Sequence, residues 1–119
     1  MEISEWIAAE LSALADPLKA QNMAAYMKTK MPFYGVPAPL RKEVFRRLRR
    51  DFPVVDNDQY REQIEALWGL DHREEKYLAL GVAGAYRRFI TFENLDRYER
   101  MVREGGWWDF VDEIASHLV

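Results

Sequence analysis

The stretch Pro39-Leu40-Arg41-Lys42-Glu43-Val44-Phe45-Arg46-Arg47-Leu48-Arg49-Arg50 decides how this chain is read. Leu40, Val44, Phe45 and Leu48 fall at the three- and four-residue spacing that places side chains on one face of an α-helix. The other positions are mostly basic. The spacing therefore predicts a helix from about Pro39 to Arg50, with the apolar stripe inward and the arginines outward.

Upstream lies the only Pro/Gly-rich loop of the chain, with Pro32, Gly35, Pro37 and Pro39. It ends a helix carrying Leu18, Ala20, Met23, Ala24, Met27 and Met31. Asp16-Pro17 starts that helix as an N-cap followed by proline at the first helical position, where no N–H is needed. Before it, Ile3, Trp6, Ile7, Leu11 and Leu14 recur at helical spacing in a first helix.

Downstream, Pro53 and Asp56-Asn57-Asp58 mark a turn. Tyr60, Ile64, Leu67 and Trp68 predict a fourth helix closed by Gly69. A fifth runs from about Asp71 to Arg88 with a broad apolar surface that includes Tyr77, Leu78, Leu80, Gly81, Val82, Ala85 and Tyr86. Thr91 is placed to cap a sixth bearing Leu95, Tyr98, Met101 and Val102, and Gly105-Gly106 stops it. Trp107-Trp108 begins a seventh.

No stretch sustains strand alternation, so the fold class is all-α, with six or seven helices and short turns. Antiparallel helix pairs at a spacing of roughly 35 to 40 residues suggest a HEAT-like α-solenoid. A compact helical bundle is the alternative. Residues 1–119 read as one helical domain. Ile114, Leu118 and Val119 carry an apolar stripe to the last residue, whereas a solenoid should close on a capping repeat with a polar face. The reading is of a domain cut partway at its C-terminal end, with self-association expected through that uncapped helix.

Composition bounds the rest. An apolar share of 49% and an aromatic share of 13% over 119 residues fit a globular domain rather than a disordered chain. There is no cysteine, which excludes disulfides and thiolate chemistry and suits a reducing cytoplasm. His72 and His117 have no metal-like spacing. No run approaches the roughly 18 apolar residues of a membrane span, and Met1-Glu2-Ile3-Ser4-Glu5 is no signal peptide. A soluble cytoplasmic protein without membrane contact is expected.

The net charge of −3 is unevenly spread. From Lys28 to Arg50, eight basic residues (Lys28, Lys30, Arg41, Lys42, Arg46, Arg47, Arg49, Arg50) stand against Glu43, giving +7 there and −10 elsewhere. Such a block can hold a phosphate backbone even in an acidic protein. It can equally be a solvated face bridged to the acidic remainder.

Gly106-Trp107-Trp108-Asp109-Phe110-Val111-Asp112 is the other distinctive segment. On a helix Asp112 falls beside Trp108 and Asp109. An aromatic face next to an anion can hold a flat cation and stabilise positive charge nearby. Alkylated purines are flat cations, and breaking their glycosidic bond builds positive charge on the sugar. The plainer reading makes Trp107, Phe110, Val111 and Ile114 core residues and the carboxylates a wet face.

Three blocks together carry a family resemblance. The first is Met23-Ala24-Ala25-Tyr26-Met27-Lys28 with Phe33-Tyr34-Gly35-Val36-Pro37-Ala38-Pro39-Leu40-Arg41-Lys42. The second is Leu67-Trp68 with Arg73-Glu74 and Ala79-Leu80. The third is Trp107-Trp108-Asp109-Phe110-Val111-Asp112. In order and spacing, from about residue 17 to 119, the chain resembles the N-terminal half of AlkD-type DNA alkylation-repair glycosylases, built from HEAT-like repeats.

The resemblance implies excision of cationic alkylpurines from double-stranded DNA by hydrolysis of the bond to deoxyribose, a step of base excision repair, with no metal or nucleotide cofactor. It implies a concave basic surface on the duplex, and a lesion that need not be flipped into a pocket. Carried over residue by residue, Trp108 and Asp112 line the catalytic cleft, and Tyr26 lies against DNA near the lesion. Asp109 becomes a supporting carboxylate and Trp107 a core residue. Lys28, Arg41, Lys42, Arg46, Arg47 and Arg50 are the candidate DNA contacts. Family domains are about twice as long and draw the opposite cleft wall from later repeats, so slow or absent excision by this chain alone is expected. The rival readings are a HEAT-like module that grips DNA without chemistry, and a protein-interaction solenoid whose basic block serves an acidic partner.

Overall fold

A computed structural model describes residues 2–28 and 31–105. Among them are six α-helices and no strand: α1 (Ile3–Ala13), α2 (Pro17–Met27), α3 (Ala38–Asp51), α4 (Asn57–Trp68), α5 (Arg73–Ala85) and α6 (Leu95–Gly105). No helix among the described residues is long and apolar enough to cross a membrane.

Local chemistry sets the helix starts. One oxygen of Asp16 accepts the amides of Leu18 and Lys19 at 3.1 and 3.2 Å, with Pro17 opening α2. These are the orphan donors that a first turn leaves unmade. Asp56 does the same for α4, accepting the Gln59 amide at 2.8 Å.

The helices α4 and α5 form the closest pair and run antiparallel. Tyr60, early in α4, donates its hydroxyl to the Ala83 carbonyl late in α5 at 2.6 Å, while Lys76, early in α5, reaches the Trp68 carbonyl at the end of α4. Ile64, Leu67, Leu78 and Val82 are buried between them. Across this pair lies α1, inserting Ile7 and Leu11, and α3 contributes Val44 and Leu48. Behind α4, α6 is joined by Arg97 and Arg100, which hold Glu65 at 2.7 and 2.9 Å. A buried Tyr60–Tyr98 hydroxyl pair at 2.8 Å adds to that seam. With α1, α3 and α5 in mutual contact and α4 packed against α1 and α5, the helices form a HEAT-like array.

Several boundaries differ from the sequence reading. The helix expected to run to Met31 stops at Met27, because Lys28 turns left-handed at φ 51° and ψ 44°. None of its residues is buried: Leu18 is 67% exposed and Tyr26 85%. Leu40, expected inward on α3, is also exposed. Past Ala85, α5 does not reach Arg88, and tight 3-10 turns cover Arg87–Phe89 and Phe92–Asn94. The buried Asn94 side chain holds this bend, donating to the Phe89 carbonyl and to Asn57 at 2.8 Å each. Thr91 therefore precedes a 3-10 turn and makes no side-chain cap. The seventh helix, with Ile114, Leu118 and Val119, lies outside the described residues.

Candidate nucleic-acid interface

The loop before α3 positions the candidate surface. Glu74, in the first turn of α5, is 1% exposed. One of its carboxylate oxygens accepts the Tyr34 amide at 3.0 Å, and the other accepts Gly35 and Val36 at 2.8 and 3.0 Å. Three backbone donors satisfy a buried anion that would otherwise be costly. Gly35 has φ +91°, and a Cβ there would lie 2.0 Å from the Asp16 carbonyl oxygen. Only glycine permits that conformation and that approach. The same junction is closed by the Asp16 amide, which donates to the Tyr34 carbonyl at 2.9 Å.

Tyr34 completes the anchor. Its ring stacks on His72 with centroids 3.7 Å apart, and its hydroxyl donates to Glu75 at 3.1 Å. Burial, reinforced by the Glu75 charge, pushes the phenol up to about 12. Glu75 also accepts the His72 amide at 2.9 Å, half of a capping box at the start of α5. The beginning of α5 thus grips the loop, and the loop carries α2.

At the open side of this anchor is a cavity of about 510 Å³ lined by Met23, Tyr26, Phe33, Arg41, Glu74 and Tyr77, among others. Tyr26 stands at its rim, and Lys28 follows two residues later on the exposed end of α2. Arg41 is half-buried with its guanidinium 4.5 Å from the Tyr77 ring centre. Burial lowers its pKa, opposed by Tyr77 and Glu74, and an arginine remains protonated under such a shift.

The basic block of the sequence separates into two groups. Arg46 is held by Glu43 at 3.0 and 2.6 Å, Arg50 by Asp51 at 2.9 and 3.2 Å, and Arg47 by Glu10 at 2.8 Å. These ion pairs neutralise three of the expected DNA contacts. Lys42 is exposed, and no carboxylate among the described residues pairs with it. Lys30, Trp107, Trp108, Asp109 and Asp112 lie outside the described residues. Among the described residues no three His, Asp or Glu side chains gather as a metal site would.

Residues 7–119 match the DNA alkylation repair enzyme family. This chain belongs to that family. A similar solved structure, a predicted DNA alkylation repair enzyme from Enterococcus faecalis, shares 28% identity with a TM-score of 0.73. The match covers 87% of this chain and 48% of that one, so the chain spans about half the length of its structural relative. No curated protein matches it. Cations beside aromatic rings, as this surface carries them, are features suited to phosphates and stacked bases.

Two parts of this surface escaped the sequence reading. Glu74 meets residues 38 to 40 positions away, and Tyr77 meets Arg41 across two helices. No spacing rule connects such positions. The one available signal was Glu74 itself, a carboxylate in the second family-like block.

Proposed function

We propose that this chain is part of a glycosylase that hydrolyses the N-glycosidic bond of cationic alkylated purines in duplex DNA. The supporting observation is Tyr26: an aromatic residue 85% exposed, on a helix held by a buried anchor, at the rim of a cavity that contains a cation. An open ring beside the Arg41 guanidinium suits a sugar or base next to a phosphate.

In the proposed reaction the bond from C1′ to the purine nitrogen breaks with its electron pair going to the base, which leaves neutral. Positive charge grows on the deoxyribose and water adds at C1′. Asp112 is assigned to stabilise that charge and orient or activate the water, and Trp108 to pack on the sugar or the cationic base. Tyr26 lies against the backbone near the lesion. A second reading, DNA grip without excision, is favoured by the half-length coverage of the structural relative.

The test is single-turnover release of methylated purines from a methylated duplex, comparing the chain with its Asp112→Asn variant. Asp112-dependent release supports excision by this chain. Salt-dependent duplex binding without release from either protein supports the second reading. Absence of both removes the DNA assignment.

A further inference from the structure

Three cavities follow one another along the seam between α3 and α5. The first, of about 510 Å³, shares Arg41 and Tyr77 with a second of about 140 Å³. The second shares Lys42 and Phe45 with a third of about 460 Å³, which ends at Arg49 and Tyr86. Together they make one groove running from Tyr26 to Tyr86. Its floor exists because Gly81 has no side chain: a Cβ there would meet the Phe45 ring at 3.0 Å.

Arg41, Phe45 and Arg49 are four residues apart and line this groove from the same face of α3. Each arginine is set against aromatic rings, and the one carboxylate near Arg41, Glu74, is already taken up by three backbone amides. Arg41 lies 4.5 Å from the Tyr77 centroid, and Arg49 lies 5.0 Å from Tyr86 and 6.0 Å from Phe45. Among the described residues neither guanidinium has a hydrogen bond or an ion pair. Stacking fixes the plane of a guanidinium while leaving its N–H donors open. Such a group is pre-oriented for a phosphate.

Arg46 and Arg50 also line the third cavity, but they and Arg47 differ from the two stacked arginines. Each is bonded to a carboxylate, so the pair carries no net charge, and a phosphate approaching the arginine also meets Glu43, Glu10 or Asp51. We infer that the α3–α5 seam is the track for one strand of a DNA backbone, with Arg41 and Arg49 as its phosphate clamps and Lys42 between them. Eight residues of helix separate the clamps by about 12 Å, far enough apart to engage separate phosphates of one strand. This assignment rests on the DNA reading proposed above and divides the basic block within it.

The experiment is the binding of an undamaged duplex, followed by fluorescence anisotropy across a salt series. Wild type is compared with R41Q/R49Q, with E43Q/R46Q, which removes an ion pair without changing the net charge, and with R41K/R49K, which keeps the charge but loses the planar fork. R41Q/R49Q should bind about tenfold more weakly, with the slope of log K against log salt reduced by about two, as two lost phosphate contacts require. R41K/R49K should keep the slope and lose part of the affinity. E43Q/R46Q should change affinity by less than about twofold with the slope intact.

If wild type binds with a steep slope but E43Q/R46Q loses as much as R41Q/R49Q, the clamp assignment fails and the DNA reading stands. If wild type shows no salt-dependent binding, both fail. Thermal melts of each variant separate lost contacts from lost folding.

Discussion

Glu74 accepts the amide of Gly35 at 2.8 Å, so a buried carboxylate on α5 fixes a loop glycine with a positive φ. Through that bond and its two neighbours, a helix with no buried side chain of its own is held in place. Anchoring here is by hydrogen bonds at the base of α2 rather than by packing along it.

Glu74→Ala should therefore be among the most destabilising single changes in the chain. It leaves three backbone donors without their acceptor and opens a void, a loss on the order of 3 to 4 kcal/mol. Glu74→Gln, which keeps one acceptor oxygen, should lose less. Urea unfolding followed by circular dichroism checks both. An alanine variant within 1 kcal/mol of wild type would show that the loop does not depend on this carboxylate.

At Gly35 the obstacle is steric. Gly35→Ala adds a methyl group against the Asp16 carbonyl in a backbone region that alanine avoids, at a cost of about 2 to 4 kcal/mol. Because the clash sits at the foot of α2, amide hydrogen exchange should rise first in residues 17–27 while the α4–α5 core stays protected. Uniform loss of protection across all helices would contradict that local picture.

Tyr34 predicts an alkaline limit to stability. Its phenol titrates near 12 in the folded chain against about 10 when exposed. Above pH 10 the unfolded state releases the proton first, so it binds fewer protons than the native state and stability falls with rising pH. The contribution is full below about pH 10 and is lost on the way to 12. Burial pushes Tyr60 and Tyr98 upward too, in the same sense. Tyr34→Phe should flatten, without abolishing, the decline between pH 9.5 and 11.5 in chemical denaturation. An unchanged slope would remove Tyr34 from the account.

Tyr26 offers the opposite dissociation of effects. An 85% exposed ring adds little to the fold, so Tyr26→Ala should leave the midpoint of unfolding within about 0.5 kcal/mol of wild type. Duplex affinity should drop at least about fivefold, as loss of one stacking ring worth about 1 to 3 kcal/mol does. Equal affinity for the two proteins would separate Tyr26 from the DNA surface.

What the sequence made legible was local. Asp16-Pro17 caps α2 because its acceptor and its donors lie within three residues. Val44 and Leu48 face inward because a helix has a fixed period. The methionines of α2 share that period, yet α2 buries nothing, since periodicity groups residues on a face without saying whether anything covers it. The basic block was visible as charge, but the partners Glu10, Tyr77 and Tyr86, which sort its arginines, come from other helices. Trp108 and Asp112, the residues assigned to the chemistry, lie outside the described structure, so their geometry adds nothing to what their order in the chain implied.

The contact of Gly81 with Phe45 carries a consequence for how this surface can change. The gauge of the α3–α5 groove is set by a single missing methyl group. Gly81→Ala leaves every cation in the chain untouched and raises helix propensity, yet it forces the Phe45 ring outward and narrows the track from below. Selectivity between a slender single strand and a full duplex could thus shift through one apolar position that touches neither phosphate nor base.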